Sequence, residues 1–227
     1  MVCYGKGGKA REGIKGLTAD FHPGITGLVG PNGAGKTTFL RAVAGLLPPS
    51  SGSLEIHGMD PRAFVGRGGI GFLPENPVFP WYLTVEEFLT GLVSGAEAEV
   101  KEVAEPEGAL KLRGILGKRL DSLSLGQRKK VALSAALLGR PGVLILDEPT
   151  NGLDPIAVRE LRNTLMGEKE RGTTLIISSH HLDELQRIAD ALVFLKDGAT
   201  EGAWTRDVAL RAYGSLEALF DHVFGED

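Results

Sequence analysis

The sequence predicts an α/β fold organised around a mostly parallel sheet. Short apolar runs bounded by glycine alternate with segments of helical period along most of the chain. Each run is brief and rich in Ile, Leu or Val, the composition of strands buried on both faces. The alternation lapses once, between Pro74 and Arg140, where helical patterning continues without strands. Alternating strands and helices make crossover units and hence a parallel sheet. A purely helical stretch inside that pattern makes an insertion.

In chain order, the first such strand is Ile25–Val29, followed by a helix over Lys36–Ala44. Ser53–Ile56 and Ile70–Leu73 are the next expected strands. Inside the insertion, Thr84-x-x-Glu87 is a capping-box pattern and opens a helix running to about Val93. An acidic stretch, Glu97–Glu107, leads to a second helical run near Ala109–Leu116. A third spans Leu125–Leu138, with Val131, Ala135 and Leu138 on one face. Strand expectations resume at Val143–Leu146. The helix Ile156–Glu168, the strand Thr174–Ser178, the helix Leu182–Ile188, the strand Ala191–Leu195 and a closing helix Ser215–Phe224 complete the series. No internal repeat or low-complexity tract is present. One unit is expected, with a core from residues 1–74 and 141–227 and a helical subdomain at 75–140.

Composition narrows the class. A chain of 227 residues can bury a core without staples. Its 42% hydrophobic share and net charge of −4 exclude disorder. Cys3 is the one cysteine, which excludes a disulfide scaffold and suits a reducing compartment. No apolar run reaches the roughly 18–20 residues that cross a bilayer, and Met1–Lys6 carries no apolar leader core. The slightly acidic balance argues against a dedicated nucleic-acid binder. The 32 glycines are about twice the average share of roughly 7%. They are not periodic, so collagen is excluded and their placement needs local reasons.

One cluster of them supplies a reason. Gly30-Pro31-Asn32-Gly33-Ala34-Gly35-Lys36-Thr37 fits G-x-x-x-x-G-K-[ST], between an expected strand and an expected helix. The glycines let successive N–H groups turn inward around an anion, and the following helix adds its positive end. In that pattern Lys36 neutralises the β- and γ-phosphates of a nucleotide and Thr37 places a hydroxyl on Mg²⁺. Val143-Leu144-Ile145-Leu146-Asp147-Glu148 is an apolar strand ending in two carboxylates. Open α/β sheets put ligands at that end, and successive residues of an extended chain point apart. Asp147 is thus placed for Mg²⁺ and Glu148 for polarising an attacking water. Alone, such a pair is equally a solvated turn; the phosphate loop in the same chain decides.

Leu123-Ser124-Leu125-Gly126-Gln127-Arg128 narrows the family. With it, the sequence resembles the ATP-binding cassette (ABC) ATPases, whose signature is usually written LSGGQ; Leu125 stands where that signature has its first glycine. The resemblance covers essentially the whole chain. It implies a P-loop NTPase (RecA-like) core with a mostly parallel sheet, an N-terminal antiparallel β portion and an inserted helical subdomain. It also implies ATP and Mg²⁺ as ligands. Ser124, Gly126 and Gln127 would face the γ-phosphate of ATP held by the other copy of a pair, while Gly30–Thr38, Thr38 included, would hold it from its own side. Asn151-Gly152-Leu153-Asp154 is similar to the family's D-loop. Ser178-Ser179-His180 is similar to its switch histidine, His180 being preferred over His181 because the serines directly precede it. Tyr4 is placed like the aromatic that stacks on adenine. His22, His57 and His222 match nothing.

The departures carry information. Glu75, in Leu73-Pro74-Glu75, stands where most relatives have glutamine, a pattern familiar in the exporter branch. A carboxylate there is a charged Mg²⁺ ligand beside Asp147 and Glu148. Only three residues precede Tyr4, and the insertion is shorter than usual, so the docking face is expected to be reduced. The segment Pro74–Tyr82 offers Phe79, Trp81 and Tyr82, either as a cap on the local core or as the surface that receives a helix of a membrane subunit.

The resemblance therefore implies the ATP-hydrolysing subunit of an exporter, peripheral at the cytoplasmic face of the membrane. Its partners would be a separate transmembrane permease and a second ATPase subunit, identical or not. The ending Gly214–Phe220 is similar to the exporter-branch tail. An importer ATPase would keep the glutamine that Glu75 replaces. A DNA-repair cassette needs long coiled coils, and a ribosome-acting one typically has two cassettes. A GTP switch needs Asn-Lys-x-Asp, yet no Asn here is followed by Lys. Glu148 and His180 argue against a module that binds without hydrolysing.

Overall fold

The computed structural model describes residues 2–4, 11–93 and 112–225. Strands β1 (Val2–Tyr4) and β2 (Arg11–Ile14) form an antiparallel pair. The main sheet contains β3 (Gly24–Val29), β4 (Ile70–Leu73), β5 (Val143–Asp147), β6 (Thr174–Ser178), β7 (Ala191–Lys196) and β8 (Ala199–Thr205). Its order is β4-β5-β6-β3-β7-β8. All neighbours run parallel except β8, which is antiparallel to β7. The register aligns Leu73 with Leu146, Asp147 with Ser178, and Leu28 with Ser178. The C-terminal ends of β4, β5, β6 and β3 therefore lie along one edge, and that alignment positions the site.

The apolar runs earn their central places by alternation. Val143 and Ile145 of β5 pack with Phe39, Leu40 and Val43 of α1 (Lys36–Val43). Leu144 and Leu146 face the opposite layer, with α4 (Leu125–Leu137), α5 (Pro155–Glu170), α6 (Leu182–Ile188) and α8 (Leu216–Phe224). Leu144, Ile145 and Leu146 are fully buried. At roughly 1.5–3 kcal/mol for each buried side chain of this size, slippage of β5 by one residue would be prohibitive.

Helix α2 (Pro61–Val65) precedes β4; between β4 and β5 the described residues form α3 (Val85–Val93), 3-10 turns at Leu112–Ile115 and Leu120–Ser122, and α4. The α3 capping box is present: Glu87 Oε2 accepts from the Thr84 N–H at 2.8 Å and Thr84 Oγ1 accepts from the Glu87 N–H at 3.2 Å. Helix α4 lies directly on β4, because a Cβ at Gly71 would collide with the Ala136 carbonyl oxygen. Val131 of α4 is fully buried and Ala135 and Leu138 pack at its margin. The helix is buried on more than that stripe, since Ala132, Leu133, Ala136 and Leu137 are buried too.

Several expectations need correction. Ser53–Ile56 is not a strand; only Ile56 pairs, with Met59, around a turn in which His57 and Gly58 both have positive φ. An apolar run without a neighbouring edge to pair with stays irregular. The run near Ala109–Leu116 is a 3-10 turn from Leu112 on, and its start, like the stretch Glu97–Glu107, lies outside the described residues. Strand β8 and helix α7 (Arg206–Tyr213) were not expected. The signal for β8 is Asp197-Gly198, both at positive φ, the dipeptide that favours tight hairpins.

Candidate functional site

The site is assembled by strand ends. The chain leaves β3 into the loop Gly30–Gly35 and re-enters structure as α1, whose N-cap, Gly35, offers no side-chain cap. The first N–H groups of α1 thus remain available to a ligand. Gly35 has φ +101°, and a Cβ there would collide with the Gly13 carbonyl oxygen, so no other residue fits. Lys36 is buried, its Nζ donating to the carbonyl oxygens of Gly30 at 2.6 Å and Pro31 at 3.2 Å. Burial lowers its pKa, against the opposing pull of Glu148, Asp147 and Glu75. The loop thus closes around its own lysine.

β5 delivers the two carboxylates. Asp147 is buried, and its Oδ1 accepts from Ser178 Oγ at 2.6 Å. The Glu148 N–H donates to the same Ser178 Oγ at 2.9 Å. Glu148 has φ +46°, an uncommon conformation for a side-chain-bearing residue and one concentrated at functional sites. The turn swings its carboxylate to His180, whose Nδ1 lies 2.9 Å from Glu148 Oε2. His180 follows β6, and its ring is half exposed. His181 stands at the N-cap position of α6 without a side-chain cap bond, and its ring is tilted by 37° against that of His180 with centres 4.1 Å apart. Beyond β4, Glu75 Oε1 accepts from Asn151 Nδ2 at 3.3 Å.

One cleft gathers Asn32–Thr38, Glu75, Asp147, Glu148 and His180, with Asn151 and Gly13 completing its wall. Gly30 and Pro31 lie behind it as the carbonyls that hold Lys36. Ser124, Gly126, Gln127 and His181 are not among its lining residues. Ser124 is instead the N-cap of α4, in a reciprocal box: Ser124 Oγ accepts from the Gln127 N–H and Gln127 Oε1 accepts from the Ser124 N–H. The pattern Ser124-x-x-Gln127 carries that signal in the sequence, and it occupies the Gln127 side chain within its own helix. Tyr4 pairs with Arg11 in the β1–β2 ladder, while its side chain lies outside what is described. Asp154 likewise caps α5, accepting from the Ile156 and Ala157 N–H groups.

Sequence reasoning missed Gly13, the bridging role of Ser178, and Lys129. Lys129 is buried on α4, where burial lowers its pKa against the pull of Glu75, Glu148 and Asp147. Nothing in its neighbours' sequence marks it, because its partners are backbone carbonyls far along the chain. Of the aromatic segment, Phe79 packs edge-on against Phe88 and joins the core, whereas Trp81 and Tyr82 stand 65% and 60% exposed.

Mg²⁺ fits the donors present. No group of three or more metal-ligating side chains occurs among the described residues. Mg²⁺ requires none, since it is bound through one or two carboxylates and substrate phosphates. Thr37, Asp147 and Glu75 line the same cleft.

A glycine cradle closed by a lysine, beside an acidic strand end on a mostly parallel sheet, defines a P-loop nucleoside triphosphatase. Comparison with known proteins fixes the family. The model for the ABC transporter family matches residues 14–151. The chain is 32% identical to the ABC-type transporter ATP-binding protein EcsA of Bacillus subtilis (strain 168), over 97% of this chain and 92% of that one. It is 38% identical to ATP-binding cassette sub-family A member 7 of Rattus norvegicus, over 85% of this chain and 9% of that protein. It spans less than two thirds of the length of the first curated relatives it matches. A solved structure of the ATP-binding subunit of an ABC transporter superposes with a TM-score of 0.84 at 28% identity, covering 98% of this chain and 96% of that one. The chain belongs to the ABC transporter family, as one of its ATP-binding ATPase cassettes. Among its described residues no helix is long and apolar enough to cross a membrane.

Proposed function

We propose that the chain is the ATP-hydrolysing subunit of a membrane exporter and works as a pair, docked on a separate transmembrane permease at the cytoplasmic face of the membrane. The observation that carries this reading is a site complete on one side only. The phosphate cradle, both carboxylates and His180 meet in one cleft, while the Ser124 helix start lies outside it. A second copy supplies that helix, so closing the pair encloses the γ-phosphate between Gly30–Thr38 and Ser124–Gln127. Tyr4 stacks on the adenine.

In the closed pair the loop N–H groups and Lys36 hold the phosphates. Thr37 and Asp147, with Glu75 beside them, would hold Mg²⁺, whose charge would offset that of the phosphates. Glu148 orients a water on the γ-phosphorus and accepts its proton as the bond to the bridging oxygen breaks. His180 holds the Glu148 carboxylate in place. Loss of the γ-phosphate removes the contact that joins the copies, and the pair reopens. Leu73-Pro74-Glu75 and the ending Gly214–Phe220 support export. The exposed Val78, Trp81 and Tyr82, with the Arg119 guanidinium 5.9 Å over the Trp81 ring centre, offer the permease an aromatic face.

The test of pairing is ATPase activity against protein concentration. Specific activity is expected to rise from nanomolar to micromolar chain, as the composite site forms. A specific activity that stays constant while the chain remains single throughout overturns the reading. The Glu75 assignment has its own test. Glu75→Gln is expected to raise the Mg²⁺ concentration for half-maximal activity by about tenfold, the loss of one charged ligand. An unchanged metal dependence would leave Glu75 only its bond to Asn151.

A further inference from the structure

The left-handed turn at Glu148 is held from both sides. On its N–H side the grip is Ser178 of β6, whose Oγ and carbonyl oxygen lie 2.9 and 3.2 Å from the Glu148 nitrogen. On its carbonyl side the grip is Lys129: Nζ donates to the Glu148 carbonyl at 2.8 Å and to the Pro149 carbonyl at 3.3 Å. Lys129 is 4% exposed, a burial that a lysine tolerates only with partners. Its partners are backbone oxygens, not a carboxylate. A backbone oxygen reports the path of the chain, so this ammonium fixes a conformation where an ion pair would only balance charge. The lysine is also well anchored, because α4 rests on β4 at the Gly71–Ala136 contact.

We propose that Lys129 is a positioning residue for Glu148: its ammonium pins the carbonyl side of the turn that aims the Glu148 carboxylate into the cleft. Ser124 caps the same helix one turn earlier, so what docks at the start of α4 and what sets Glu148 are parts of one rigid element. The inference rests on the reading of Glu148 as the group that activates water, and a misplaced base of that kind costs rate, not binding.

The experiment measures steady-state ATP hydrolysis by the full chain at saturating Mg²⁺, with Lys129→Met and Lys129→Gln. Methionine keeps the apolar stem and loses every donor; glutamine keeps an uncharged amide that can still donate. Turnover is expected to fall by about tenfold or more in Lys129→Met and less in Lys129→Gln, with KM for ATP within about threefold of wild type. Either variant suffices if the other fails to fold. In a Glu148→Gln background, adding Lys129→Met is expected to change the residual single-turnover rate by less than about twofold, because two residues acting as one unit are not additive. Wild-type turnover in the Lys129 variants, a raised KM with unchanged kcat, or an equal penalty in both backgrounds overturns the proposal. Absence of hydrolysis by the wild-type chain would instead sink the ATPase reading of the site.

Discussion

Glu148→Gln is expected to stop turnover while leaving ATP bound. The substitution keeps size and shape, so the φ +46° turn, the Ser178 contacts to the peptide and the Lys129 grip all survive. What it removes is the acceptor that takes the proton of the attacking water. A general base of this kind contributes about 10²–10⁴-fold, so kcat should fall at least about a hundredfold at saturating ATP. The phosphate contacts come from the Gly30–Gly35 loop, Lys36 and the start of α1, none of which the change touches. ATP affinity should therefore stay within a few-fold of wild type. With hydrolysis blocked and binding intact, ATP-loaded chains should elute as a pair on a sizing column and as single copies when no nucleotide is added. Retention of most of the wild-type rate would show that Glu148 is not the base. Loss of ATP binding would show that the carboxylate holds nucleotide rather than water.

The parts of this site that are local in sequence were the legible ones. Gly30–Thr37 reads as a phosphate cradle because its geometry is set by residues within one loop and the first turn of one helix. Asp147 and Glu148 read as strand-end acids because the four-residue run before them, Val143–Leu146, is uniformly apolar. The strand order was not legible, yet it is the order β4-β5-β6-β3 that brings Glu75, Asp147, His180 and the loop to one edge. Ser178 shows the difference. As a member of Ser178-Ser179-His180 it was only a companion of the histidine, but pairing with β5 makes it the bridge between Asp147 Oδ1 and the Glu148 N–H. Lys129 was invisible for the same reason: its partners are main-chain oxygens, which no side-chain pattern announces. The error at Ser53–Ile56 has a related cause, since a strand exists only where another edge accepts its hydrogen bonds. β8 erred in the opposite direction. Its run Ala-Thr-Glu-Gly-Ala-Trp-Thr is weakly apolar, and only the Asp197-Gly198 turn and the packing of Trp204 on Phe194 make it a strand.

Lys36→Ala is expected to remove nucleotide binding with little change to the empty fold. The ammonium donates to the Gly30 and Pro31 carbonyls. Those bonds are offset by the cost of keeping a cation buried, the larger influence on its pKa. The melting temperature without ATP should thus move little. Toward the phosphates the balance is different, because the lysine is the nearest full positive charge lining the cleft. Removing one partner of a desolvated charge pair costs about 2–5 kcal/mol, which is at least about thirtyfold in ATP affinity. The rise in melting temperature that ATP gives the wild-type chain by mass action should vanish in the variant at the same ATP concentration. A pH series separates charge from shape. Burial makes the folded lysine lose its proton more readily than a free lysine does, and bound phosphate favours the charged form. Wild-type affinity should therefore decline as pH rises toward the ordinary lysine value of 10.5, beginning below it, whereas Lys36→Ala has no such proton to lose and should show a flatter profile. An ATP affinity in Lys36→Ala within threefold of wild type, or a decline of equal steepness in both proteins, would show that the cradle binds through its backbone N–H groups alone.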